Sequence, residues 1–155
     1  MTIATADLYD DRGEDLQSLA TQMLDLGGHP SFHGPIRTVR CHRDNGLVKS
    51  VLNSPGDGAV LVVDGGMSLE SALMGDMIAE AAVTNGWAGV VIFGAVRDRE
   101  PIGRLALGVK ALGSNPRKSA KDGVGDLDEV LEIDGVVFAP GKHLWADADG
   151  VLVER

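Results

Sequence analysis

Three features of the sequence predict an α/β domain. Two short runs, AVLVVD (59–64) and GVVIFG (89–94), are apolar without alternation, the pattern of strands covered on both faces. Each follows a segment whose apolar residues recur at helical spacing. The second half is then broken by turn residues into short apolar segments, which makes it richer in strand. At 155 residues the chain has the length of one domain, residues 1–155, with enough surface to bury a core unaided.

In chain order, Thr5 is a candidate cap for a helix beginning ADLYDD, and Leu16, Leu19, Ala20 and Met23 continue the helical spacing. Gly27-Gly28 interrupts it, and HPSFHGP reads as a loop. IRTVRCH (36–42) alternates as a strand with Val39 and Cys41 on one face. Asp44 or Asn45 starts a second helix striped by Leu47, Val48, Val51 and Leu52, and SPGDG ends it.

After the first apolar strand and Gly65-Gly66, SLESALM supplies a short strand or turn. Asp76 is placed to cap a helix with Met77, Ile78, Ala81, Ala82 and Asn85 inward and Gly86 as its stop. LGVKALG (107–113) is a further strand and PRKSAKDGVGD a polar loop. In VLEIDGVVFA the Asp-Gly pair supplies the positive φ values of a two-residue hairpin turn, and DADG separates a last pair of strands, HLWA and VLVER.

The composition narrows the function classes. With 23 acidic against 14 basic residues the net charge is −9, which repels phosphate backbones and anionic lipid, so direct binding to nucleic acid or membrane is not expected. A basic segment of another protein is a compatible partner. The single cysteine, Cys41, excludes an intrachain disulfide, and its strand context favours a small core residue over a catalytic thiol. No secretory leader and no apolar run near the roughly 20 residues of a membrane span are visible, which predicts a soluble, cytoplasmic protein.

The chemistry-bearing residues gather on two neighbouring connections. In α/β folds ligands sit where strands end and helices begin, because helix N-termini present unpaired amides. Gly75-Asp76-Met77-Ile78 is such a helix start: Gly75 admits a ligand close to the backbone, and the amides of 76–78 suit a carboxylate. Arg97, at the end of GVVIFGAVRD, offers a planar fork for a carboxylate or enolate oxygen. Asp98 offers the hard oxygen that Mg²⁺ or Mn²⁺ prefers. Taken singly, Asp76 is an ordinary cap and Arg97-Asp98 an ordinary surface pair; together they supply anion site, cation and metal ligand.

These residues carry a resemblance. VVDGG (62–66), GD (75–76), NGWAG (85–89) and GAVRD (94–98) resemble the regulator of ribonuclease E activity A family, which includes the metal-dependent 4-hydroxy-4-methyl-2-oxoglutarate aldolases. The likeness runs from TADLYD through SFHGPIRTVRCHRDNGLVKSVL to FAPGKHLWADADGVLV. Twenty residues separate Asp76 from Arg97, and Asp98 follows directly, the spacing associated with the enzymatic members. The resemblance implies a layered β/β/α domain of swivelling type, a homotrimer with sites between subunits, and either of two roles.

The first role is lyase chemistry: cleavage of 4-hydroxy-4-methyl-2-oxoglutarate to two pyruvates, with oxaloacetate decarboxylation as a side activity. Both reactions leave a pyruvate enolate, so both need negative charge stabilised on the former ketone oxygen. The resemblance assigns Asp98 to the divalent metal (Mg²⁺ or Mn²⁺), Arg97 to the enolate, and the 75–78 segment to the substrate carboxylate. Asp76 would orient a water or take part in proton transfer. The segment holds no lysine for an imine, in keeping with metal dependence. One departure stands out: the active aldolases have an acidic residue three positions after the metal-binding aspartate, and here that position is Pro101, with Glu100 one residue short. Weaker metal binding or lower turnover is the consequence expected.

The second role is that of a protein-binding inhibitor of ribonuclease E-type RNA processing, which the acidic surface would suit. An assignment of such proteins to menaquinone methylation finds no glycine-rich S-adenosylmethionine loop here. DADG lacks the later ligands of a calcium loop, Asp64 reads as a structural strand-end residue, and His29, His33, His42 and His143 show no paired metal spacing. Two tryptophans are too few for an RNA-stacking platform.

Overall fold

The computed structural model describes residues 3–155. Helix α1 (Thr5–Arg12) leads through a 3₁₀ turn, 13–15, to β1 (Leu16–Ser18). After β2 (Leu24–Asp25) come β3 (Phe32–Arg40), α2 (Gly46–Leu52), β4 (Val60–Asp64), β5 (Ala72–Met74), α3 (Asp76–Thr84) and β6 (Gly89–Val96). The rest is α4 (Arg99–Ile102), β7 (Gly108–Ser114), β8 (Asp126–Leu127), β9 (Leu131–Ile133), β10 (Val136–Phe138), β11 (His143–Asp147) and β12 (Gly150–Glu154). No helix among the described residues is long and apolar enough to cross a membrane.

The layers are joined by β3. Its first half, Phe32 to Pro35, pairs antiparallel with β11, while Ile36 to Arg40 pairs parallel with β4. The strands run in the order β1-β12-β11-β3-β4-β6-β7-β2, antiparallel at the β1 end and parallel from β3 to β7. Gly34 sits at the changeover, where a Cβ would collide with the Gly58 carbonyl.

The two unalternating runs are covered on both faces. Leu61, Val63, Val90 and Ile92 pack toward the helices with Val48, Leu52, Ala79 and Ala82. Val60, Val62, Val91 and Phe93 face a second apolar layer that includes Leu131, Phe138, Leu144 and Val153. There Phe93 meets Phe138 edge-on, centroids 5.7 Å apart at 67°, an arrangement worth about 1 kcal/mol beyond area burial. This is the β/β/α layering, and the α/β expectation holds.

Both expected hairpins form. Asp134 and Gly135 have φ of 50° and 77°, the two-residue turn that Asp-Gly predicts, between β9 and β10. DADG joins β11 to β12.

The N-terminal reading needs correction. The helical spacing of Leu16, Leu19, Ala20 and Met23 misleads, because the helix ends at Arg12 and Leu16 enters β1. Leu16 is buried with Trp145 and Leu152, and pairing with β12 outweighs propensity so early in the chain. Thr5 does not cap α1: Ala4 holds that position, and the Thr5 hydroxyl donates to Asp147 at 2.6 Å, fastening α1 to β11. Part of the expected HPSFHGP loop is strand, since β3 begins at Phe32 and threads Pro35 through the sheet changeover.

Candidate functional site

Strand β6 is buried along its whole length and emerges at Arg97. The neighbouring β5 runs parallel to it and ends at Met74, so the start of α3 lies beside the end of β6. The Arg97 amide donates to the Met74 carbonyl at 3.0 Å, joining the two ends. Asp98 then takes a left-handed conformation, φ 61° and ψ 45°, before α4 begins. That conformation costs a non-glycine residue about 1 kcal/mol and turns the carboxylate back: its Oδ2 accepts the Asp76 amide at 3.1 Å.

Gly75 is the cap residue of α3, and Asp76 is its first helical residue with no capping bond of its own, which corrects the expected Asp76 cap. A Cβ at Gly75 would lie 2.8 Å from Asp98 Oδ2 and 3.4 Å from Arg97 Nε. Met77 is 80% exposed, so it does not face the core as its spacing implied; Ile78, Ala79 and Ala82 do. The amides of Met77 and Ile78 have no partner among the described residues and remain available at the helix start.

One hollow is lined by all six predicted residues, Gly75, Asp76, Met77, Ile78, Arg97 and Asp98. Sequence reading missed the rest of its lining, which comes from Asn45 and Lys49 at α2 and from Lys118 and Lys121 on the loop after β7. Asn45 is 6% exposed, and its Oδ1 is buried without a hydrogen-bond partner. An unpaired buried amide oxygen costs about 1–3 kcal/mol. The signal available in the sequence was the basic cluster PRKSAK in an otherwise acidic chain.

The donors fit a hard divalent cation better than a soft one. No cluster of three or more His, Cys, Asp or Glu side chains is found among the described residues, which leaves Asp98 with Asp76 beside it. One or two carboxylates with water completing the shell is the usual provision for Mg²⁺. Glu100 does not join them: it is turned to solvent, 4.0 Å from Arg104, and neither it nor Pro101 lines the hollow.

The other candidates fall elsewhere. Asp64 Oδ1 accepts the Gly66 amide at 2.9 Å, a turn contact away from the hollow. Burial, then the charges of Asp44 and Asp64, push the Cys41 thiol up to about 12, so it is a core residue. The histidine reading needs amendment, because β3 and β11 bring His33 Nδ1 within 2.9 Å of His143 Nε2, a pair that linear spacing conceals.

The fold defines a class seen in solved proteins, and the sequence places the chain within it. Residues 5–153 match the RraA-like family, described as Aldolase/RraA, and the chain belongs to that family. A Geobacillus kaustophilus protein named as an S-adenosylmethionine: 2-dimethylmenaquinone methyltransferase is 45% identical over 98% of this chain and 94% of its own, with a TM-score of 0.96. The RNA-processing inhibitor RraA from Thermus thermophilis is 45% identical over 99% and 93%, with a TM-score of 0.95. Streptomyces coelicolor RraAS2, an unusual member of the RNase ES inhibitor RraA protein family, is 27% identical over 97% and 79%, with a TM-score of 0.78.

Proposed function

We propose that this protein is a divalent-metal-dependent carbon–carbon lyase that cleaves 4-hydroxy-4-methyl-2-oxoglutarate to two pyruvates and decarboxylates oxaloacetate as a secondary activity. The observation that carries this reading is the Asp98 carboxylate beside Arg97 and the open amides of α3, all on one hollow. Asp98, with Asp76 beside it, would hold the cation, which when bound supplies Lewis-acid stabilisation of charge on the 2-oxo oxygen.

The chain's own groups do the rest. The Met77 and Ile78 amides, at the positive end of α3, hold the 1-carboxylate of the substrate. Arg97 would offer its guanidinium to the oxygen that gains charge as the C3–C4 bond breaks and its electron pair passes to C3 and the 2-oxo group. The 4-hydroxyl loses its proton as the second pyruvate carbonyl forms, and Asp76 would orient a water or take part in that proton transfer.

The test is pyruvate release from both substrates with Mg²⁺, with Mn²⁺ and with chelator, for wild type and Asp98→Ala. Metal-dependent release lost in the variant supports the lyase; release no faster than free metal ions produce sinks it.

A second reading has its own support. Relatives named as RNA-processing inhibitors are up to 45% identical, and the net charge of −9 suits a basic, disordered segment of a ribonuclease E-type enzyme. Such binding would weaken with salt and survive loss of Arg97 or Asp98, whereas catalysis would not.

A further inference from the structure

The lysines lining the hollow are held there by a residue that does not reach it. The carboxylate of Asp44, buried at 5% exposure, gathers four backbone amides. Oδ1 accepts from Gly46 at 2.9 Å and Gly123 at 3.1 Å, and Oδ2 accepts from Asp122 at 3.2 Å and Val124 at 3.3 Å. One donor opens α2; the other three belong to the loop after β7. A single side chain therefore fastens the element bearing Asn45 and Lys49 to the segment bearing Lys118 and Lys121.

The rest of the loop is stitched in the same direction. The Asn45 amide donates to the Ala120 carbonyl at 2.8 Å, and the Ala120 amide to the Arg43 carbonyl at 3.0 Å. Ser119 Oγ donates to the Ala72 carbonyl at 2.7 Å. The loop is thus built into the fold with its lysine ends left exposed toward the hollow. In a chain of net charge −9, three lysines lining the same hollow as Arg97 mark a place for anionic charge beyond a single carboxylate.

We propose that Asp44 is a positioning residue that sets Lys49, Lys118 and Lys121 as a subsite for the second, distal carboxylate of the substrate. The inference rests on the lyase reading and deepens it, because it makes the site selective for dicarboxylic over monocarboxylic 2-oxo acids. A lysine ammonium is a strongly hydrated point charge on a flexible stem, so its contribution depends on where the backbone beneath it is held.

The experiment is calorimetric titration, with Mg²⁺ present, of pyruvate and of 2-oxoglutarate, which share the 2-oxo carboxylate and differ by the distal one. Wild type is expected to bind 2-oxoglutarate about tenfold more tightly, the scale of one charge-assisted hydrogen bond. In Asp44→Asn, and separately in Lys118→Ala/Lys121→Ala, the ratio should fall to about twofold with pyruvate affinity held. The lysine variant alters only exposed side chains, so it keeps the test decisive where Asp44→Asn fails to fold. Equal wild-type affinities, or an unchanged ratio in the folded variants, would overturn the subsite while leaving the lyase reading intact. Binding of neither ligand by wild type would sink the lyase reading and the subsite with it.

Discussion

The Asp98 carboxylate accepts the backbone N–H of Asp76 at 3.1 Å, linking the end of β6 to the first turn of α3. Two residues twenty-two positions apart thus form one corner of the hollow, with Gly75 between them at a separation that admits no side chain.

Gly75→Ala should therefore damage the site more than the fold. The new Cβ would stand 2.8 Å from Asp98 Oδ2, and Gly75 has an extended backbone, φ −116°, that alanine adopts freely. Metal-dependent turnover is expected to fall at least about tenfold, since displacing a catalytic group by a fraction of an ångström is costly. The urea midpoint should barely move, and equal losses in both would contradict the assignment.

Lys110 is 2% exposed, and its ammonium lies 2.8 Å from Asp25 across the β7–β2 edge. Removing one partner of a buried pair leaves an uncompensated charge. Asp25→Ala is expected to destabilise the protein by about 3 kcal/mol, read from urea unfolding. Lys110→Met, which leaves the more exposed partner behind, should cost less.

Acid should weaken the protein in two stages. Burial, then His33, lowers the pKa of His143 from its usual 6.5, the nearby Glu154 opposing and Arg12 assisting. A lowered histidine favours the folded state above 6.5 and loses that contribution as pH falls through the folded value. Asp147 is also lowered, from 3.8. Burial would raise it, but the Thr5 hydroxyl and amide and the turn amides of Asp149 and Gly150 outweigh that, holding it below 3.8. Its stabilisation is present above 3.8 and is lost below. Thermal melts from pH 8 to 3 should show the first loss beginning under pH 6.5, and His143→Gln should remove that stage alone.

Cys41 should be inert in the native state. With its thiol pushed up to about 12 by burial and by Asp44 and Asp64, the thiolate fraction at pH 8 is on the order of one in 10,000. Reaction with a disulfide reagent at pH 8 should follow unfolding, and rapid labelling of folded protein would contradict the core assignment.

What could be read in advance depended on how local the cause was. The runs 59–64 and 89–94 announced double-sided burial because, up to the closing Asp64 and Gly94, neither alternate face carries a polar side chain. Asp134-Gly135 announced its hairpin because two positive φ values suit few other pairs. Residues 16–23 misled because helical spacing over a few positions is also satisfied by a short strand whose partner, β12, arrives more than 130 positions later. Met77 misled because the first turn of a helix at a strand end faces the crevice, not the core.

The family, the layered α/β class and part of the hollow were written in local patterns, because Gly75 to Ile78 and Arg97-Asp98 close a single strand–helix–strand unit. The remaining lining depended on long-range packing. Asn45, Lys49, Lys118 and Lys121 meet through the amides that Asp44 collects from a loop nearly eighty residues away, and the His33–His143 pair exists only because β3 lies against β11. The reason is physical: periodicity and turn chemistry act within a few residues, whereas one buried carboxylate can satisfy donors from any part of the chain that the fold brings within 3.3 Å of it.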